Sequence, residues 1–195
     1  MSKRLPNPTP KKLQEFVERW EILPKYPTQE RCLNILYSKH FPRNMKLEDV
    51  LIKVSSLNDF YSTNIFDSHR VAKHIVDLKI DSAIRNQCTL IVNQIALVKM
   101  SNGKIKNFYS FATKYCSHHF PNDYPIYDSY IHKMLNAYKK RDHFARSKND
   151  NLRDYPAFKE IMIEFRSYYG LHNFSLKKID QFLWQAGKSV FPRNY

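Results

Sequence analysis

The sequence predicts an all-α domain of about ten helices. Apolar residues recur at helical spacing along most of the 195-residue chain. Prolines and Ser, Thr or Asp residues fall where those helices would begin. Glycine is scarce: Gly103, Gly170 and Gly187 are the whole set, too few for a hairpin-rich β fold that needs residues at positive φ.

Taken in order, Pro8-Thr9-Pro10 opens a helix through about Leu23, with Leu13, Phe16, Val17 and Trp20 on one face. Pro27 and Thr28 start a second, carrying Cys32, Ile35 and Leu36, which stops before Pro42. A third runs from about Leu47, with Val50, Leu51, Val54 and Leu57 at helical spacing, into Asn58-Asp59-Phe60-Tyr61. Asp67 is placed to cap the next, whose stripe is Val71, His74, Ile75 and Leu78. Asp81 and Thr89 start two short helices. Ser101-Asn102-Gly103 is a turn signal, after which a helix covers Phe108 to His119. Pro121-Asn122-Asp123 breaks it, and Pro125 precedes a long helix through Lys140. Arg141 to Asp154 reads as a polar linker, and Pro156 and Ser175 open the last two helices. Those two end near Trp184 and Val190; Gly170 reads as a helix C-cap, and Asp180 to Lys188 as an amphipathic helix with a capped end. Phe182, Leu183 and Trp184 read as packing.

Lys and Arg number 32 against 18 Asp and Glu, a net charge of +14. That excess points to a polyanion, with nucleic acid ahead of a membrane surface. No two glycines are close enough to build a Rossmann turn or a P-loop. Cys32, Cys88 and Cys116, widely spaced and without a CxxC pair, suit reduced, mostly buried thiols. The basic, proline-rich Met1 to Lys12 lacks the apolar stretch of a signal peptide, and the run Leu90 to Met100 is too short and too polar to span a bilayer. A cytoplasmic, nucleoid-associated protein that needs no cofactor is expected. His118, His119 and His132 fit no compact metal-ligand motif, and the expected metal set is none. At least one of the adjacent His118 and His119 is expected to be solvated.

The stretch from Phe108 to Leu135 holds the densest chemistry. Asp128, after Pro125 and near a helix start, is a carboxylate that the helix dipole keeps ionised. Tyr124, Tyr127 and Tyr130 flank it, with Lys114, His118, His119, His132 and Lys133 nearby in sequence. An anion so placed stabilises a developing positive charge, while the cations suit phosphates. The plain alternative is that Asp128 caps a helix and the tyrosines fill the core.

Ser110-Phe111-Ala112-Thr113 followed by Pro125-Ile126-Tyr127-Asp128 resembles the active-site segment of the helix-hairpin-helix DNA glycosylases, relatives of endonuclease III and 8-oxoguanine DNA glycosylase. Ala112 and Asp128 stand 16 residues apart, as in the endonuclease III pattern. The resemblance implies a two-lobed, helix-hairpin-helix glycosylase-like fold over 1–195. Its central lobe would span about 46–128, with 1–45 and 129–195 packing together as the second. It implies that Asp128 is the catalytic aspartate, and that Ser110 stands where bifunctional members carry a Schiff-base lysine, so the enzyme is monofunctional. Lys114 lies one helical turn further on. The family's Gly-x-Gly hairpin would fall at Lys106-Asn107-Phe108, where there is no glycine, with Lys104 and Lys106 supplying phosphate contact by charge. Asn64, in the turn Ser62-Thr63-Asn64-Ile65, would be the wedge that fills the duplex. Phe60, Tyr61 and Tyr127, with Ser110, would line the pocket for the extruded base.

The expected activity is excision of a modified base from double-stranded DNA by a monomer, leaving an abasic site. A hypermodified base of phage DNA, and so a defence role, is within that expectation. Lys104, Lys106, Lys114, Lys133, Lys139, Lys140 and Arg141 are the expected phosphate-binding residues, with Arg146, Lys148, Lys177 and Lys178 adding to the basic surface. Two other classes share the same composition. Arg166 and His172 resemble the Arg-x(4–6)-His signature of HEPN ribonucleases, and +14 alone suffices for a non-catalytic helical nucleic-acid-binding module.

Overall fold

A computed structural model describes residues 4–145 and 151–192. Arg146, Lys148 and the middle of the expected linker lie outside the described residues. The fold is mostly helical, and each helix starts for a local reason. Thr9 caps α1 (Pro10–Glu21), its hydroxyl accepting the Lys12 N–H at 3.2 Å with Pro10 in the first turn. Leu13 and Phe16 are the face that α1 buries. After α2 (Tyr26–Ile35) the chain widens into a π-helical turn, Leu36–His40, that carries Tyr37 into the core. The end of this turn is satisfied by a buried lysine of α3 (Leu47–Tyr61). Lys53 donates to the Phe41 and Arg43 carbonyls at 3.0 Å and to Asn44 Oδ1 at 2.6 Å.

Asp67 caps α4 (Ser68–Asp77) through the Arg70 N–H, and the short α5 (Asp81–Arg85) and α6 (Leu90–Ala96) follow. Between α6 and α7 (Tyr109–His119) the sequence reading meets a correction. The connection is an antiparallel β-hairpin, β1 (Leu97–Lys99) with β2 (Ile105–Asn107), pairing Val98 with Lys106. One glycine at the tip, Gly103 at φ +79°, is enough to turn it. A scarcity of glycine therefore excludes a hairpin-rich fold but not one hairpin.

α8 (Ser129–Asp142), α9 (Tyr155–Tyr168) and α10 (Leu176–Val190) complete the fold. Gly170, at φ +64°, follows the end of α9 as a left-handed cap. α10 ends at Val190, and Gly187 sits inside it. A Cβ there would lie 2.7 Å from Tyr130 Cβ, so the glycine is needed for the close approach of α8. α1 packs on α10 and α10 on α8, so the two ends of the described chain meet. Phe16 and Phe182 join α1 to α10 edge-on at 5.1 Å, and Gln185 donates to the Phe16 carbonyl at 2.8 Å. α3 packs on α4, and α7 on both α3 and α6. Nearly every residue from Tyr109 to His118 is buried, which makes α7 the central helix. The cysteines depart from expectation: Cys116 is buried, but Cys32 and Cys88 are exposed, all three as free thiols. Among the described residues no helix is long and apolar enough to cross a membrane.

Candidate active site

Asp128 is held by what precedes it. Three side chains from three helices fix the segment Pro125-Ile126-Tyr127. Tyr155 of α9 donates its hydroxyl to the Pro125 carbonyl at 2.9 Å, and Asp180 of α10 accepts the Ile126 N–H at 3.1 Å. Thr113 of α7 accepts the Tyr127 N–H at 3.1 Å. Asp128 then leaves in extended conformation and caps α8, its Oδ1 accepting the Tyr130 N–H at 2.7 Å. The carboxylate thus sits at the positive end of α8.

It borders a cavity of about 260 Å³. Phe60, Tyr61 and Ser62 at the end of α3 form one side, and Lys114 of α7 reaches it from the core. α10 lays a helical stripe along it: Lys177, Asp180, Gln181, Trp184 and Lys188. Trp20 of α1 and Tyr26 of α2 stand against Trp184, with ring centroids 5.7 and 4.8 Å from it. The Lys188 amine lies 4.3 Å above the Trp184 ring and donates to the Tyr26 hydroxyl at 3.1 Å. One cavity therefore combines a carboxylate, stacking surfaces and fixed cations, the features of a site for a planar polar ligand.

The charges around it are ordered. Lys114 is 4% exposed; its amine donates to Ser110 Oγ, to the Ser110 carbonyl at 3.2 Å and to the Tyr127 carbonyl at 3.5 Å. Burial lowers its pKa to about 8, against the attraction of Asp128 and Asp180. Lys177 contacts Glu30 at 2.7 Å and Asp180 at 3.9 Å. Burial opposes the charge on Lys177, but those two carboxylates hold its ammonium and raise its pKa. Glu30 Oε2 accepts from Trp20 Nε1 and from Gln181 Nε2, each at 3.1 Å, so Gln181 Oε1 points away from Glu30 and has no hydrogen-bond partner among the described residues. Tyr61, which burial pushes up to about 12, donates to His118 Nε2 at 3.2 Å. His118 is kept neutral by burial and donates Nδ1–H to Asn34 Oδ1 at 3.0 Å, which fixes the tautomer.

The structure thus brings Asp128, Phe60, Tyr61 and Lys114 together at one cavity. Other expected residues lie elsewhere. Tyr127 is core, packed at 4.8 Å on Tyr109 and 5.6 Å on Phe158, because Thr113 holds its backbone inward. Ser110 does not reach the cavity; its hydroxyl donates to the Tyr127 carbonyl at 3.1 Å and accepts from Lys114. Lys114 is too buried to bind a backbone phosphate. His118 is buried, whereas His119 is half-buried, contacts Asn44 Oδ1, and has its pKa lowered by burial to about 3. Arg141 is paired with Asp142 at 2.6 Å and lies over Tyr138, and Lys139, Lys140 and Arg141 occupy the far end of α8 from Asp128. At 1.5 Å per residue, that end is roughly 17–20 Å away. Lys133 lies over the Phe191 ring at 5.8 Å. Lys104 and Lys106 are exposed on the β-hairpin. Asn64 is exposed at φ +57°, and two residues on Phe66 is 91% exposed. Arg166 and His172 stand apart from the cavity, His172 exposed beyond the end of α9. No group of three metal-ligating side chains occurs among the described residues.

Sequence reading missed the α10 stripe and the paired aromatics Trp20 and Tyr26. A signal existed in Lys177, Asp180, Gln181, Trp184 and Lys188, which share a helical face interrupting the apolar positions Ile179, Phe182 and Leu183.

Fold and cavity together define a helical protein with an ionic, aromatic-walled pocket under one helix-capping carboxylate. The chain belongs to the HI_0787_N family, an N-terminal domain whose family model matches residues 12–123. A protein of Haemophilus influenzae, recorded as "Uncharacterized protein", is 43% identical over 149 residues, which is 76% of this chain and 71% of that protein. No solved structure matches the chain. The cavity straddles the limit of the family match: Trp20, Tyr26, Tyr61 and Lys114 lie inside it, Asp128 and the α10 stripe beyond it.

Proposed function

We propose that this protein is a monofunctional DNA glycosylase with a helix-hairpin-helix glycosylase-like arrangement, excising a modified base from duplex DNA as a monomer. The observation that carries the reading is Asp128 at the border of a cavity with aromatic walls. A base flipped from the stack would enter between Tyr61 and the Trp20–Tyr26–Trp184 wall. As its glycosidic bond breaks, the sugar gains oxocarbenium character, and the Asp128 carboxylate offsets that charge. Water is the nucleophile, because the Lys114 amine is engaged by Ser110 and the Tyr127 carbonyl. The β-hairpin takes the place of the family's hairpin, offering Lys104 and Lys106 to phosphate. In the turn after α3, Phe66 is the better wedge, since an apolar ring stacks in a vacated base site where Asn64 would not. The wide aromatic wall also suits a base with a bulky substituent, such as phage DNA carries, and with it a defence role.

The test is abasic-site formation, read as alkali-labile nicking, on duplexes bearing different modified bases. Asp128→Asn should lower turnover by about 100-fold or more while the folded protein still binds DNA. A role as helix cap alone predicts instead a stability loss of about 1 kcal/mol with per-molecule activity intact. A borohydride-trapped protein–DNA adduct would move the nucleophile from water to Lys114. Binding without base release from any duplex would leave a non-catalytic nucleic-acid-binding protein.

A further inference from the structure

We propose, building on the glycosylase reading, that Asp180 is a general acid that gives its proton to the departing base. Asp180 lines the same cavity as Asp128 but is placed differently. Asp128 caps a helix; Asp180 is 4% exposed in the middle of the α10 stripe. Its Oδ2 accepts the Ile126 N–H, and Oδ1, which lies 3.9 Å from the Lys177 amine, is the oxygen that carries the proton.

The cations nearby have other acceptors besides Asp180. Lys177 sits 2.7 Å from Glu30 and 3.9 Å from Asp180, so its ion pair is with Glu30. The hydrogen bonds of the Lys114 amine go to Ser110 and the Tyr127 carbonyl. Glu30 and Asp180 thus share one lysine on their side of the cavity, and burial of Asp180 favours its protonated form. The titratable groups that face Asp180 are Lys177 on its own helix, Glu30 of α2, Tyr61 of α3, Lys114 of α7 and Tyr155 of α9. Asp128 stands across Lys114, which feels both carboxylates. Burial pushes the Asp180 pKa up to about 7, opposed by Lys177 and by the Ile126 N–H.

The step balances without a co-reactant other than water. The bond between C1′ and the base nitrogen breaks, and its electron pair goes to the base. The Asp180 proton joins the base, so the base leaves neutral rather than as an anion. Water adds through oxygen to C1′, and its released proton returns to Asp180. Gln181 Oε1, buried next to Asp180 in sequence and without a donor among the described residues, is available to accept an N–H of the same base.

The experiment is single-turnover base release by the full chain from about pH 5.5 to 9, on a duplex that the abasic-site screen identifies as cleaved. The wild-type rate should fall about tenfold per unit above neutral pH, because the acid must be protonated. Asp180→Asn, which still accepts the Ile126 N–H, should be slower by about 100-fold and lose that dependence, with affinity for an abasic duplex unchanged. Equal rates and equal profiles in the two proteins overturn the role of Asp180 and leave the glycosylase reading standing. Should the variant not fold, a wild-type rate flat from about pH 6 to 8 overturns it as well. A wild type that releases no base from any duplex removes the glycosylase reading, and the Asp180 proposal with it.

Discussion

Lys53 and Lys114 are both amines removed from water, and burial lowers the pKa of each to about 8. Both therefore lose protons in the folded protein at a pH where the unfolded chain still binds them. Stability follows from the difference in bound protons, which is larger in the unfolded chain between about pH 8 and 10.5. Their contribution to stability should rise across that window, present above the unfolded pKa and lost as pH falls through about 8. Urea unfolding between pH 7.5 and 10 measures it, and each lysine accounts for a rise on the order of 3 kcal/mol. Lys114→Met should remove its share of the rise and leave that of Lys53. Because buried Cys116 and the buried tyrosines shift stability in the opposite direction at alkaline pH, the readout is the difference between wild type and Lys114→Met, and a difference that does not change with pH would show that the Lys114 amine is not desolvated as described. The two lysines differ in purpose: Lys53 closes three acceptors around the π-helical turn, whereas Lys114 borders the cavity with Asp128.

Among the helices, α10 shows most clearly how one element serves packing and site together. Ile179, Phe182, Leu183 and Ala186 face the core, and the stripe from Lys177 to Lys188 faces the cavity. Gly187 joins the two by letting α8 approach, and α8 carries Asp128 at its start. Gly187→Ala should improve helix propensity by about 1 kcal/mol yet push a methyl into Tyr130, at a cost of about 1–3 kcal/mol. The expected outcome is a lower thermal midpoint, together with weaker base release as α8 and α10 separate. An unchanged midpoint would mean that Tyr130 yields freely. α7 shows the limit of periodicity: buried on nearly every face, it has little amphipathic contrast, and its polar members are explained by partners from α2, α3, Asn44 and the segment before α8.

For the whole molecule, the charge balance remains the broadest statement about partners. Lys and Arg exceed Asp and Glu by 14, an excess that pairing within the chain cannot neutralise. If duplex DNA is bound through phosphates, log affinity should fall linearly with log salt, by about 0.9 per phosphate neutralised. Lys104→Ala with Lys106→Ala should reduce that slope by up to about 2, whereas Lys139→Ala with Lys140→Ala, at the far end of α8, should change it less. An affinity indifferent to salt would remove nucleic acid as the partner.

By itself the sequence determined the helices, because capping and periodicity are local: Thr9, Asp67, Pro156 and Ser175 mark helix starts by chemistry within a few residues. It also singled out Asp128, since a carboxylate after Pro125 and before a helical stripe reads as a helix start. The β-hairpin was legible only as a turn at Gly103, its strands being three residues each and mostly exposed. Only the tertiary structure decided which side chains share the cavity. Trp20, Tyr61, Lys114, Asp128 and Asp180 are dispersed over 160 positions and meet because α1, α3, α7, α8 and α10 pack around one core. The same packing moved Tyr127 into the interior and drew Lys114 out of the set of surface cations. Side-chain direction and desolvation depend on neighbours distant in sequence, and no local pattern encodes them.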